Sequence, residues 1–209
     1  MAIICPTILA KQPQQYREQL ARVDKFAQRI QIDLADGVLA PVKTVELGEI
    51  SWPKHLKVDF HLMYQHPTRH MRAIVKHKPH LVIVHAEADG DFVTFARILR
   101  KLGMKVGVAL LPETKAEAIK PALEFIDHVL IFSGRLGKFG GNADLDLLIK
   151  AQAIKHIKPG VEIGWDGGIN DKNIHLLAAG GIDVLNVGGF IQKASDPAAA
   201  YATLKSKLR

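Results

Sequence analysis

Eight short apolar runs punctuate the chain: residues 2–5 (AIIC), 29–34 (RIQIDL), 57–63 (KVDFHLM), 81–85 (LVIVH), 105–111 (KVGVALL), 128–132 (HVLIF), 161–165 (VEIGW) and 182–187 (IDVLNV). Longer stretches lie between them with apolar residues every three or four positions. Tyr16, Leu20, Val23 and Ala27 form one such series, and Leu145, Leu148, Ala151, Ile154 and Ile157 another; this is the spacing of one buried helix face. Strands alternating with helices predict parallel pairing through right-handed crossovers. Eight units of about 25 residues predict an α/β chain folded as a compact (β/α)8 TIM barrel, smaller than the usual size of about 250 residues. An open doubly wound sheet is the rival. It commonly has a glycine-rich first turn, whereas CPTILAKQPQQ (5–15) has no glycine. No linker or solenoid-length repeat interrupts the pattern, so one domain over 1–209 is expected.

The two-residue period of a strand sorts the polar positions. Ile30, Ile32 and Leu34 share one face, Gln31 and Asp33 the other; Val58, Phe60 and Leu62 oppose Asp59, His61 and Met63; Ile163 and Trp165 oppose Glu162, Gly164 and Asp166. With the apolar faces packed on outer helices, Gln31, Asp33, His61 and Asp166 converge inside the barrel. They lie near the carboxyl ends of strands 2, 3 and 7, where barrel enzymes keep their chemistry. Two carboxylates, an imidazole and an amide there suit a divalent metal ion, with zinc, manganese, iron and cobalt all admissible. A single one of these residues reads better as a hydrogen-bonded core residue; four on matching faces favour a site.

Composition narrows the partners. The 209 residues carry a formal charge of +7 and a single cysteine, Cys5, which excludes an intrachain disulfide and fits a reducing, cytoplasmic setting. No long uncharged apolar run predicts a membrane span, and MAIICPTILAKQ has no basic n-region of an export signal. The positive charge suits an anionic partner. Because the cations are scattered and aromatics make up only 6%, a nucleic-acid surface is not expected. A phosphorylated metabolite is.

Glycine clusters at GKFGG (137–141), DGG (166–168) and VGG (187–189) follow strands 6, 7 and 8. Each alone reads as a tight turn, but three on one rim suit the phosphate cradle that the last loops of this fold often build. Gly140, Gly141, Gly167, Gly168, Gly188 and Gly189 are the expected phosphate residues. Arg135 and Lys138 sit in the long loop SGRLGKFGGN (133–142) as possible additional contacts. Asp36 is expected to order the turn after strand 2. His66 and His70 in YQHPTRH read as a helix start rather than a second metal pair.

Taken in order, CPTILA, IDLADG, DFHLMYQHP, VIVHAEA, KVGVALLPET, KFGGN, WDGGI and GIDVLNVGG resemble the motifs of the ribulose-phosphate 3-epimerase family over nearly the whole chain. The resemblance implies metal-dependent epimerisation next to the ketone of a phosphorylated ketose, namely ribulose 5-phosphate and xylulose 5-phosphate. By matching position, Asp33 and Asp166 would be the paired acid and base. Gln31, Asp33, His61 and Asp166 would hold the metal, with Thr7 and Met63 near the substrate. The departures matter. Gln31 stands where the family has a histidine ligand, and an amide oxygen is a poorer ligand for zinc-like ions. Thr7 replaces a serine, Ala35 a methionine that covers the substrate, and Gly189 a serine in the phosphate site. His85 and Glu87 match a rim pair, for which a structural hydrogen bond is the expected role.

Two alternatives stand beside that expectation: an epimerase of another phosphorylated ketose, such as a hexulose 6-phosphate, and a non-catalytic phosphosugar-binding barrel. The related decarboxylase branch carries Asp-x-Lys-x-x-Asp on strand 3, where this chain reads DFHLMY. Oligomer formation is possible, but no residue names an interface.

Overall fold

The computed structural model describes residues 2–208. Eight parallel strands close into a barrel in simple sequential order: β1 (Ile3–Ile8), β2 (Arg29–Ala35), β3 (Lys57–Met63), β4 (Leu81–His85), β5 (Lys105–Leu110), β6 (His128–Phe132), β7 (Glu162–Asp166) and β8 (Val184–Val187). Each overlaps an apolar run of the sequence, because residues of one parity must be buried outside the sheet. Ile30, Ile32, Leu34, Phe60, Ile163 and Trp165 are fully buried in the layer between strands and helices. Closure leaves no edge strand exposed to stray pairing.

The helices are α1 (Pro13–Ala21), α2 (Met71–His77), α3 (Phe92–Lys101), α4 (Leu148–Ile157), α5 (Ile174–Ala179), α6 (Gly189–Gln192) and α7 (Pro197–Ser206). In α4, Ala151 and Ile154 face the core as their spacing predicts. The first amphipathic series outruns its helix: α1 stops at Ala21, while Val23 and Ala27 are buried in the turns that follow. There three-residue bonds (Val23 N to Leu20 O, Phe26 N to Val23 O) mix with four-residue ones (Asp24 N to Leu20 O, Ala27 N to Val23 O), so the chain can bend into β2 while the same apolar positions stay covered. Two crossovers carry only 3-10 turns, Leu47–Glu49 after β2 and Ala116–Ala122 after β5. Pro121 lies inside the second, and its missing N–H and fixed φ disfavour a regular helix.

The barrel interior has three chemical levels. At its amino end, Arg29 Nε donates to Asp59 (2.6 Å), and its two terminal nitrogens donate to Glu162 (2.9 and 2.8 Å). Glu162 also meets His128 Nδ1 at 2.8 Å. A small apolar plug of Leu81, Ile83, Ala109 and Leu130 separates part of this cluster from the other end. Gly164 has to be glycine here, because a Cβ on it would press into the His128 ring at 2.5 Å. The carboxyl end holds the remaining inward residues, where Asp33 pairs in register with His61, and Phe132 with Asp166.

Candidate active site

The carboxyl-end cleft encloses about 280 Å³ and is lined by Thr7, Met63, Asp33, His61 and Asp166 on its floor. The parity of β2, β3 and β7 brings the last three together: one ligand atom from each lies within 4.8 Å of the others. His61 Nδ1 is 2.9 Å from Asp33 Oδ1 and 4.0 Å from Asp166 Oδ2. Gln31 is fully buried beneath them and does not line the cleft. Its Nε2 donates to Asp33 Oδ1 at 2.8 Å and to Asp166 Oδ2 at 2.5 Å, while its Oε1 has no hydrogen-bond partner.

These carboxyls are far from ordinary. Burial pushes Asp33 up to about 7, with hydrogen bonds from Gln31 and Thr7 pulling it partly back. Asp166 is pushed to about 7 by burial and then by the Asp33 charge. Two like charges this close behave as a pair that keeps one proton near neutrality. Burial lowers His61 to about 4, which leaves its imidazole neutral. Behind it, His85 Nε2 lies 2.8 Å from His61 Nε2, and His85 Nδ1 lies 3.4 Å from Glu87. His85 is absent from the cleft wall and backs His61 from inside the protein.

Two carboxylate oxygens and a neutral imidazole are a donor set that fits a divalent ion of the zinc, manganese, iron or cobalt type. Asp33, His61 and Asp166 would hold it. Gln31 faces them with its nitrogen, which cannot be a ligand, and would need to turn its amide over to offer oxygen.

The other wall is glycine. Gly140, Gly141, Gly167, Gly168, Gly188 and Gly189 all line the cleft, along with Arg135 and Lys138. Gly167 and Gly168 have φ of +118° and +71°, and a Cβ on Gly168 would overlap the backbone of Asn142 and Ala143. The loops after β6 and β7 therefore touch main chain to main chain. Leu136 anchors the long loop after β6 by packing, with Leu9 and Val42, against the small apolar cluster of Ala35, Ala40 and Met63.

Sequence reasoning passed over Lys193 and Asn186, which also line the cleft. Lys193 lies four residues beyond Gly189, one helical turn along GGFIQK, so it shares that glycine's side of α6; the signal was present. Asn186 is 2% exposed, and neither end of its amide has a partner. Asp36 orders its turn as expected, accepting from Val38 N (2.8 Å) and Leu39 N (3.2 Å). His66 precedes the Pro67–His70 turn, and His70, its last residue, leads into α2. Among the described residues they join no metal-binding group, and no helix is long and apolar enough to cross a membrane.

Comparison with known proteins adds an independent line. The model of the ribulose-phosphate 3-epimerase family matches residues 3–191. The curated ribulose-phosphate 3-epimerase of Helicobacter pylori is 29% identical over 97% of this chain and 96% of its own length. That of Mycobacterium tuberculosis is 31% identical over 97% and 91%, and that of Aquifex aeolicus 31% over 99% and 96%. Among solved structures, a 3-hexulose-6-phosphate synthase superposes with a TM-score of 0.75 at 20% identity, covering 99% of this chain and all of the other. The orotidine 5'-phosphate decarboxylase of Pyrococcus horikoshii gives 0.71 at 16%, covering 99% of each chain. At such identities the structural likeness shows the fold alone.

Proposed function

The chain belongs to the ribulose-phosphate 3-epimerase family, a family of isomerases, and from that premise we propose that it interconverts D-ribulose 5-phosphate and D-xylulose 5-phosphate through Asp33 and Asp166. The observation that carries this reading is the carboxyl pair itself: Asp33 buried and Asp166 partly buried, both raised to about 7, at one end of a cleft whose other end is glycine and cation.

Epimerisation at C3 needs a base on one side of the carbon and an acid on the other, in opposite protonation states at the same pH. A pair sharing one proton meets that requirement in either direction. The ionised aspartate takes the C3 proton, giving an enediolate, and its protonated partner returns a proton to the opposite face. Microscopic reversibility exchanges their roles. A bound divalent ion would supply positive charge for the enediolate oxygens. Asn186, buried and unpartnered, offers a donor and an acceptor to the polar groups of the ketose. The glycine loops, Arg135, Lys138 and Lys193 take the phosphate, which fixes the distance of C3 from the carboxyls.

A coupled assay of ribulose 5-phosphate epimerisation tests the assignment, run on metal-stripped protein and again with zinc, manganese, iron(II) or cobalt added singly. Turnover restored by one or more ions is expected. Silence with every ion in folded protein, alongside turnover of a hexulose 6-phosphate, would reassign the sugar; silence with both sugars would favour a phosphosugar-binding role.

A further inference from the structure

Building on the reading that a divalent ion belongs between Asp33, His61 and Asp166, we propose that Gln31 is not a ligand but a built-in competitor: its NH2 bridges the two carboxylates and must be displaced for the ion to bind.

Gln31 lies two residues before Asp33 on the same face of β2, in register with Thr7 and Asp59. That position puts its amide directly under the carboxyl pair. An amide nitrogen has two hydrogens, and both are committed, one to Asp33 Oδ1 and one to Asp166 Oδ2 at 2.8 and 2.5 Å. Asp33 Oδ1 and Asp166 Oδ2 are also the oxygens nearest His61 Nδ1, so they are the atoms an ion would claim. The orientation of the amide follows from these neighbours. Turned over, Oε1 would face the ionised member of the pair, a repulsive arrangement, and the charge-assisted hydrogen bond donated to it would be lost. The chain accepts an unpartnered buried Oε1 in exchange for the bridge.

The bridge does in the ion's absence part of what the ion does: it places positive polarity between two carboxyls that otherwise repel. An ion therefore enters at the expense of two hydrogen bonds. The competitor and ligand roles of Gln31 have opposite signs in a titration. Removing a ligand weakens ion binding; removing a competitor strengthens it.

The test is calorimetric titration of Mn2+ into EDTA-stripped, dialysed wild-type protein and into Gln31→Leu, which has similar bulk and no amide. Gln31→Asn, whose shorter side chain withdraws the NH2 from the carboxyls, serves if the leucine variant does not fold. Circular dichroism checks both variants for folding. The expected result is Mn2+ binding at least tenfold tighter in the folded variant than in wild type. Weaker or unchanged affinity would show Gln31 to be a ligand or a bystander, and absence of Mn2+ binding in every form would equally overturn the proposal. Failure of the catalytic reading is separately visible: an inactive protein that still shows the tightened titration keeps the competitor role and loses only the epimerase assignment.

Discussion

At the scale of single residues, the site is held together by groups that the fold would prefer uncharged. Asp33 titrates near 4 in an unfolded chain and at about 7 when folded. Between those values the native state holds a proton that the unfolded state has released, so this residue's contribution to stability falls as pH rises through that window. The lowered His61 and His85, each at about 4, act in the opposite sense between pH 4 and 6.5. Comparing a variant with wild type isolates the carboxyl. In EDTA, Asp33→Asn is expected to gain on the order of 4 kcal/mol over wild type at pH 8, the worth of about three pKa units, with the gain vanishing below about pH 4, as read by urea denaturation. A gain that does not depend on pH would contradict the raised carboxyl. Asp33, His61 and Asp166 were legible because strand parity alone sends them inward. The bridging role of Gln31 was not, because parity shows which way a side chain points and is silent on which end of an amide meets a carboxylate across the barrel.

At the scale of elements, all eight strands could be read from their apolar runs, and what went unseen lies mostly where one segment meets another. The end of α1 shifted because burial of Val23 and Ala27 does not require a helix. Leu136 packing on the cluster that holds Ala35 could not be anticipated, since it joins the loop after β6 to segments about a hundred residues away. Lys193, at the end of α6, was readable from its place one turn beyond Gly189 but was passed over. As α6 is a single turn, its dipole adds little, and the cation matters more. Lys193→Ala is expected to raise KM for the phosphorylated ketose about tenfold, the scale of one charge-assisted contact, with kcat within about twofold. Steady-state kinetics at two ionic strengths check this, and the difference from wild type should shrink at the higher salt. An unchanged KM would remove Lys193 from the phosphate end.

At the scale of the whole molecule, the barrel separates two polar clusters with different work. The carboxyl-end cluster carries the proposed proton transfer, whereas the Arg29, Asp59, Glu162 and His128 cluster closes the amino end. Arg29 side-chain exposure is only 6%, and it answers two carboxylates at once. Truncating it strands buried charge, a change that typically costs about 3–5 kcal/mol. Arg29→Met should therefore lower the unfolding free energy by about that amount in urea titration, while kcat of the folded fraction stays unchanged. Loss of kcat without loss of stability would mean that the two ends are coupled. Strand parity already turned Asp59 and Glu162 inward, but their partner Arg29 was hidden, because it opens β2, where charged residues normally reach solvent, and only closure of the barrel brings it to Glu162.

The most direct test of the two-aspartate account is proton exchange at the reacting carbon. Ribulose 5-phosphate incubated with the ion-loaded protein in D2O, followed by NMR, should show deuterium entering C3 as xylulose 5-phosphate appears, and Asp33→Asn and Asp166→Asn should each abolish epimerisation while remaining folded. Epimerisation that leaves C3 protonated, or near-wild-type turnover in either variant, would contradict it.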